Sequence, residues 1–189
     1  MKTTKRVVLC AMIIVQTVKG QNNKHKVYLE GGLANGAQST AFVSGVYGGL
    51  GIFLNQHSSI DIKAKEVYNF NSQVIVGPIT FNYRYNFNNG FFMGGGFAHH
   101  HEVCRMVYMD QPMESAMGSA SGIFHRSGGD IEVGYNFKPF YKKGFFSWIY
   151  PAISVTATQM FMDHGQNPLI TANLGLRIGL KKFPVTNPI

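Results

Sequence analysis

A two-residue alternation of apolar and polar side chains, an N-terminal export signal and a low content of charge together predict the fold class. It is all-β: an eight-stranded antiparallel up-and-down transmembrane β-barrel, preceded by a cleaved signal peptide. Charged residues make up 14% of the chain, where soluble domains carry about 25%. No stretch after residue 20 is long and apolar enough for a membrane helix.

The export signal is the first element. Lys2, Lys5 and Arg6 precede an apolar run, Val7 to Val15, and the small Gly20 stands before Gln21. That is the layout of a secretory signal peptide, and its apolar run is too short to span a bilayer. Cleavage there divides the chain into a signal peptide, residues 1–20, and one barrel domain, residues 21–189. Losing Lys2, Lys5, Arg6 and Lys19 lowers the formal charge from +8 to +4. The remaining excess is scattered, which argues against a nucleic-acid partner. Cys10 leaves with the signal, so Cys104 has no second cysteine for an internal disulfide.

Eight strands follow, at about residues 26–35, 40–54, 59–69, 73–87, 91–103, 121–137, 145–161 and 169–183. In the first, Tyr28 and Glu30 share a face. In the second, Gly45, Tyr47, Gly49, Gly51 and Phe53 do so. The third sets Ile60, Ile62 and Ala64 against Asp61, Lys63 and Lys65. The fourth sets Ile79, Phe81, Tyr83, Tyr85 and Phe87 against Thr80, Asn82, Arg84 and Asn86. In the fifth, Phe91, Met93, Phe97, His99 and His101 oppose Gly94, Gly96 and His100. The sixth sets Ile131, Val133, Tyr135 and Phe137 against Asp130, Glu132 and Asn136. The seventh directs Trp148 and Tyr150 to the polar face. The eighth sets Ile170, Ala172, Leu174, Leu176, Ile178 and Leu180 against Thr171, Asn173, Arg177 and Lys181. Turn residues fill the gaps, as in NFNNGFF and DHGQNP. The connections on the side of the termini are short, and a long loop, 104–120, lies on the opposite side.

Alternation alone leaves open which face points outward. A secreted lipocalin-like ligand-binding barrel turns its apolar face inward; a membrane barrel turns it to lipid. Strands of 11 residues or more suit a tilted bilayer crossing. Aromatics on the apolar face at strand ends (Tyr83, Tyr85, Phe87, Phe91, Tyr135, Phe137) read as an interfacial girdle. A polar face of Gly, Asn, Thr and charges of both signs suits a narrow lumen better than a solvated surface. On this pattern the whole mature chain resembles the small eight-stranded outer-membrane β-barrel proteins of Gram-negative bacteria. The resemblance implies a bacterial outer-membrane location and, as partners, outer-membrane lipid and lipopolysaccharide.

The expected lumen charge network comprises Glu30, Asp61, Lys63, Lys65, Arg84, Arg126, Asp130, Glu132, Arg177 and Lys181. Eight strands enclose a space that side chains fill, so opposite charges must pair there. The inward glycines, Gly45, Gly49, Gly51, Gly94, Gly96 and Gly134, are expected to make room for Tyr28, Tyr47, Phe53, Trp148 and Tyr150.

GGGFAHHHEV, Gly94 to Val103, supplies the other candidates. His99 and His101 fall on the lipid-facing side and His100 on the other. Pairing Phe91 with Phe137 places His101 opposite Ser127 and Val103 opposite His125, so these groups share one patch of outer wall. The readings are a polar rim facing head-group phosphates, and a metal site of His99 and His101 completed by His125, Cys104 or Glu102. A third is a methionine-rich binding surface on loop 104–120 for an extracellular ligand. The triplet His125-Arg126-Ser127 resembles the outer-membrane lipid A deacylases. That resemblance implies Ser127 as nucleophile and His125 as base. Gly128 stands where that family usually has asparagine, and residues 145–161 hold no Asp or Glu to orient the histidine.

The expected function is a structural, adhesive or surface-binding outer-membrane barrel with no open pore, non-catalytic and without cofactor. An outer-leaflet lipid hydrolase using Ser127 and His125 is the alternative.

Overall fold

A computed structural model describes residues 25–104, 123–139, 141, 144–161 and 168–182. The signal peptide, loop residues 105–122 and the side chains of Glu102, Cys104, His125 and Lys181 lie outside the described residues. Eight strands run in chain order: β1 His25–Gln38, β2 Ala41–Phe53, β3 Ser58–Asn69, β4 Val74–Asn86, β5 Phe91–Cys104, β6 Ile123–Asn136, β7 Ile149–Met160 and β8 Leu169–Lys182. Each pairs antiparallel with the next, and β8 returns to β1 to close a barrel. Closure gives each strand a hydrogen-bonded neighbour on both sides.

A row of partners taken across the strands from Tyr28 passes Gly51, Asp61, Asn82, Gly96, Asp130, Thr158 and Leu169. It re-enters β1 at Gln38, ten residues above its start. That stagger requires tilted strands and sets a lumen narrow enough to be filled by side chains. The row consists of inward residues only, because one parity of every strand faces in.

Asparagines build the tight turns. Asn55 Oδ1 accepts from the amides of His57 and Ser58, each at 2.8 Å, between β2 and β3. Asn69 Oδ1 accepts from Asn71 and Ser72, each at 3.1 Å, between β3 and β4. Asn89 Oδ1 accepts from the Phe91 amide at 3.0 Å, while Gly90 takes φ +91 in the β4–β5 turn.

Three details differ from the sequence expectation. β1 runs on to Gln38 because the turn to β2 is only Ser39 and Thr40, with Ser39 at φ 60. Residues Phe145–Trp148 form a 3-10 turn, held by Ser147 Oγ on the Gly144 carbonyl at 2.6 Å, so β7 begins at Ile149. Trp148 therefore sits at the barrel mouth in that turn and not on a strand. The β5–β6 register is shifted by two: Phe91 pairs with Tyr135, His99 with Ser127 and His101 with His125. The chain segment between these strands is too long for a turn to dictate pairing. A shift of two preserves every facing, so the inside and outside assignments are unaffected.

Candidate functional site: a filled lumen and a polar rim

The centre of the lumen is an ion network built on the inward parity of β1, β3, β4, β6 and β8. Lys63 Nζ lies 2.6 Å from Glu132 and 3.0 Å from Glu30. Arg84 Nη2 lies 2.8 Å from Glu132 and 3.1 Å from Glu30, and its Nε is 3.4 Å from Asp61. Arg177 reaches Glu30 at 2.9 Å. Three cations thus face three carboxylates, and all six side chains are buried. Tyr28 Oη donates to Asp61 at 3.3 Å and accepts from Arg84 at the same distance. The guanidinium of Arg84 stands 4.4 Å from the ring centre of Phe92, and that of Arg177 stands 4.3 Å from that of Tyr28.

The spacing of these pairs explains the inward glycines. Arg84 and Glu132 both pair with Gly94 from either side, and Glu30 and Lys63 both pair with Gly49. Each ion pair therefore closes over a strand that offers no side chain. A Cβ on Gly94 would stand 3.3 Å from Arg84 Cβ, and one on Gly49 would stand 2.8 Å from Lys63 Cγ. Gly96 plays the same part between Asn82 and Asp130, which meet at 2.9 Å. These glycines make room for charges to meet, where the sequence suggested room for aromatic rings. Gly51 and Gly134, under Tyr28 and Phe92, do accommodate rings.

Two further ions rest on neutral groups. Lys65 Nζ donates to the hydroxyls of Thr156 and Thr171, each at 2.6 Å. Asp130 accepts from Thr158 at 2.6 Å as well as from Asn82. Opposite charges meet within the central six, whereas hydroxyls and an amide serve here. Arg126 projects inward, half-buried, near the end away from the termini, and His100 is fully buried on the same side. Toward that end of the lumen Ala34, Val43, Val67, Val76 and Leu169 form a buried apolar cluster. Polar residues dominate the inward parity, so this apolar layer does not stand out in the sequence. The signal was there: Val43, Val67, Val76 and Leu169 all sit on that parity toward the same end of their strands.

The outer wall inverts this order. Leu29, Leu33, Leu50, Ile62, Phe81, Met93, Ile131, Val133, Val155, Leu174 and Leu176 are all exposed on it. Toward the termini the belt ends in rings: Tyr85 and Phe87 at 4.9 Å, Phe87 and Phe91 at 5.4 Å, Tyr135 and Phe137 at 5.0 Å. At the far end the outward apolar row is interrupted in six strands, by Asn35, Ser44, Glu66, His99, Ser127 and Gln159. Beyond this polar rim, Phe42 stacks on Phe70 at 5.7 Å and Tyr68 meets Phe70 edge-on at 5.0 Å.

His99 and His101 are half-buried on the rim, their rings 4.8 Å apart at 88°. Ser127 is exposed directly across from His99. His125 is the register partner of His101. The backbone thus gathers His99, His101, His125 and Ser127 on one patch. Among the described residues no group of three or more His, Cys, Asp or Glu is arranged to hold a metal ion. The strand beside Ser127 presents Gln159 and Phe161, and β7 carries no carboxylate that would orient a catalytic histidine.

No family model and no curated protein sequence matches the chain. Solved structures do. The N-terminal β-barrel domain of Pseudomonas aeruginosa OprF superposes with a TM-score of 0.56 at 13% identity, covering 84% of this chain and all of that one. The outer membrane protein OprG of Pseudomonas aeruginosa superposes with a TM-score of 0.50 at 12% identity, covering 87% of this chain and 99% of that one. With an apolar wall, girdled ends and an ion-filled lumen, the chain has the fold of the small eight-stranded outer-membrane β-barrels.

Proposed function

We propose that the chain serves in a bacterial outer membrane as a closed barrel with a structural or surface-binding role and no open pore. The observation that carries this reading is the contrast between its two surfaces. A belt of exposed Leu, Ile, Val and Phe circles the outside, while the charges are buried within. Such a wall is costly in water and matched to acyl chains. Inside, a diffusing ion has to break the Lys63–Glu132 and Arg84–Glu30 contacts and then cross the apolar layer of Val43, Val67 and Val76. Both steps carry desolvation penalties that a porin lumen avoids. The methionines of the loop 104–120 read from the sequence would offer an adaptable apolar surface for an extracellular ligand.

Purified mature protein in a planar bilayer tests the closed lumen. The expected record matches the bare bilayer. Reproducible unitary conductance steps would overturn the reading of a sealed interior.

A further inference from the structure

We propose that the decisive seal of the lumen is an apolar plug near the end away from the termini, and not the ion network. Val43, Val67, Val76, Met160 and Leu169 form a hydrophobic gate over a polar column that water enters from the side of the termini. This gate rests on the sealed barrel proposed above and is the layer that closes it.

Register places the plug. The row of partners from Tyr28 climbs ten residues in one circuit of the barrel. Spread evenly, that is a little over one residue per strand. With the climb subtracted, Val43 on β2, Val67 on β3, Val76 on β4, His100 on β5, Met160 on β7 and Leu169 on β8 stand at one level. All six are between 0% and 7% exposed. β1 and β6 bring Gly36 and Gly128 to that level, where the backbones of β8 and β7 fill the space a Cβ would take. Among the described residues at this level, His100 is the one polar side chain on the inward parity.

The plug coincides with the outer rim. Val43 adjoins Ser44 in the chain, Val67 adjoins Glu66, His100 adjoins His99 and Met160 adjoins Gln159. Lumen and wall therefore exchange character at this level: apolar within, polar without.

Beneath the plug the column is polar. Lys65 and Asp130 come first, resting on hydroxyls and an amide. The six-ion network follows, and Asn86, Asn136 and Arg177 stand toward the termini. Asn86 Oδ1, Asn136 Oδ1 and Arg177 Nη1 have no hydrogen-bond partner in the protein, and buried polar atoms so placed are met by water. An ion in this column exchanges one polar partner for another. At the plug the valines, Met160 and Leu169 offer it only carbon and a thioether, so it would have to cross stripped of water.

The test is current across planar bilayers in potassium chloride, carried by the refolded mature barrel. Val67→Ser with Val76→Ser, a cross-strand pair, is expected to raise the current at least about tenfold over the unaltered protein, because polar contacts then continue through the plug. Val67→Ala with Val76→Ala removes similar volume without adding polarity and is expected to stay at the unaltered level, since apolar cavities stay dry. Lys63→Met with Glu132→Gln takes one pair from the network, leaves the charges balanced, and is expected to stay there too. Should the first serine pair not give the compact gel species, Met160→Ser with Leu169→Ser on other strands of the same layer supplies the same reading. Folded serine forms that stay silent overturn the plug, and so does an alanine form that conducts as well as the serine form. Current through the unaltered barrel contradicts the sealed lumen itself, whereas a silent unaltered barrel with a conducting Lys63–Glu132 variant contradicts the plug alone.

Discussion

Arg84 has no solvent-accessible surface and meets the carboxylates of Glu30, Asp61 and Glu132, so its loss leaves a void and only Lys63 and Arg177 to balance three buried anions. Removing one partner of such a buried arrangement costs about 3–5 kcal/mol. Arg84→Met is therefore expected to lower the unfolding free energy of the refolded barrel, read from its urea transition, by that measure. Adding Glu132→Gln to it should recover part of the loss, since one stranded charge goes. A shift below about 1 kcal/mol would mean the network does not hold the interior together. Gly94→Ala probes the same contact from the side, because the added methyl meets the Tyr83 carbonyl at 2.9 Å and the Arg84 backbone at 3.3 Å. Overpacking of this kind costs about 1–3 kcal/mol, again read from the urea transition. The charged residues of this network were visible in the sequence as inward-parity positions. Their pairing was not, because partners such as Lys63 and Glu132 belong to strands that do not touch and meet only across the narrow lumen.

The strands themselves were legible because their period of two is strict and their turns carry Asn and Gly. Gly90 is the clearest instance: its φ of +91 is a backbone state that L side chains rarely adopt, and a Cβ there would approach the Asn136 carbonyl at 2.6 Å. Gly90→Ala is expected to cost about 1–3 kcal/mol and to slow refolding of the β4–β5 hairpin, measured by the appearance of the compact gel species. Register was less legible. β5 and β6 are joined by a long segment, so no turn geometry fixed Phe91 against Tyr135, and only the parity of the pairing could be read. The seventh strand misled in another way, since FFSW reads as strand by composition and is drawn into a 3-10 turn by Ser147 and Gly144. The belt offers a test at this scale. Val133→Arg, in mid-belt on β6, should destabilise the barrel in lipid by about 2–4 kcal/mol, and Gln159→Arg, at the rim, by about 0–1 kcal/mol. Equal effects of the two substitutions would mean the wall does not sense a bilayer.

For the molecule as a whole, the ambiguity that sequence left open was which face points out. Burial resolves the geometry: Glu30, Lys63, Arg84 and Glu132 are inside, and Leu33, Val46, Phe81 and Ile131 are outside. A lipocalin-like interior, apolar and open to a ligand, is not what these side chains form. The histidine stretch GGGFAHHHEV also changes meaning at this scale. His100 is buried in the barrel, while His99 and His101 mark the level at which the apolar wall gives way to the rim. No spacing rule in the sequence reveals that level, since it depends on a tilt set by the closure of all eight strands.

Depth measured residue by residue in a bilayer tests whether the apolar wall faces lipid. Spin labels placed at position 133 and at position 66, each in a Cys104→Ser background, would be compared for collision with oxygen and with a water-soluble nickel complex in lipid vesicles. The label at 133 is expected to be rich in oxygen collisions and shielded from nickel, and the label at 66 to show the reverse. Nickel access at position 133 equal to that at 66 would contradict it, because the wall would then be facing water.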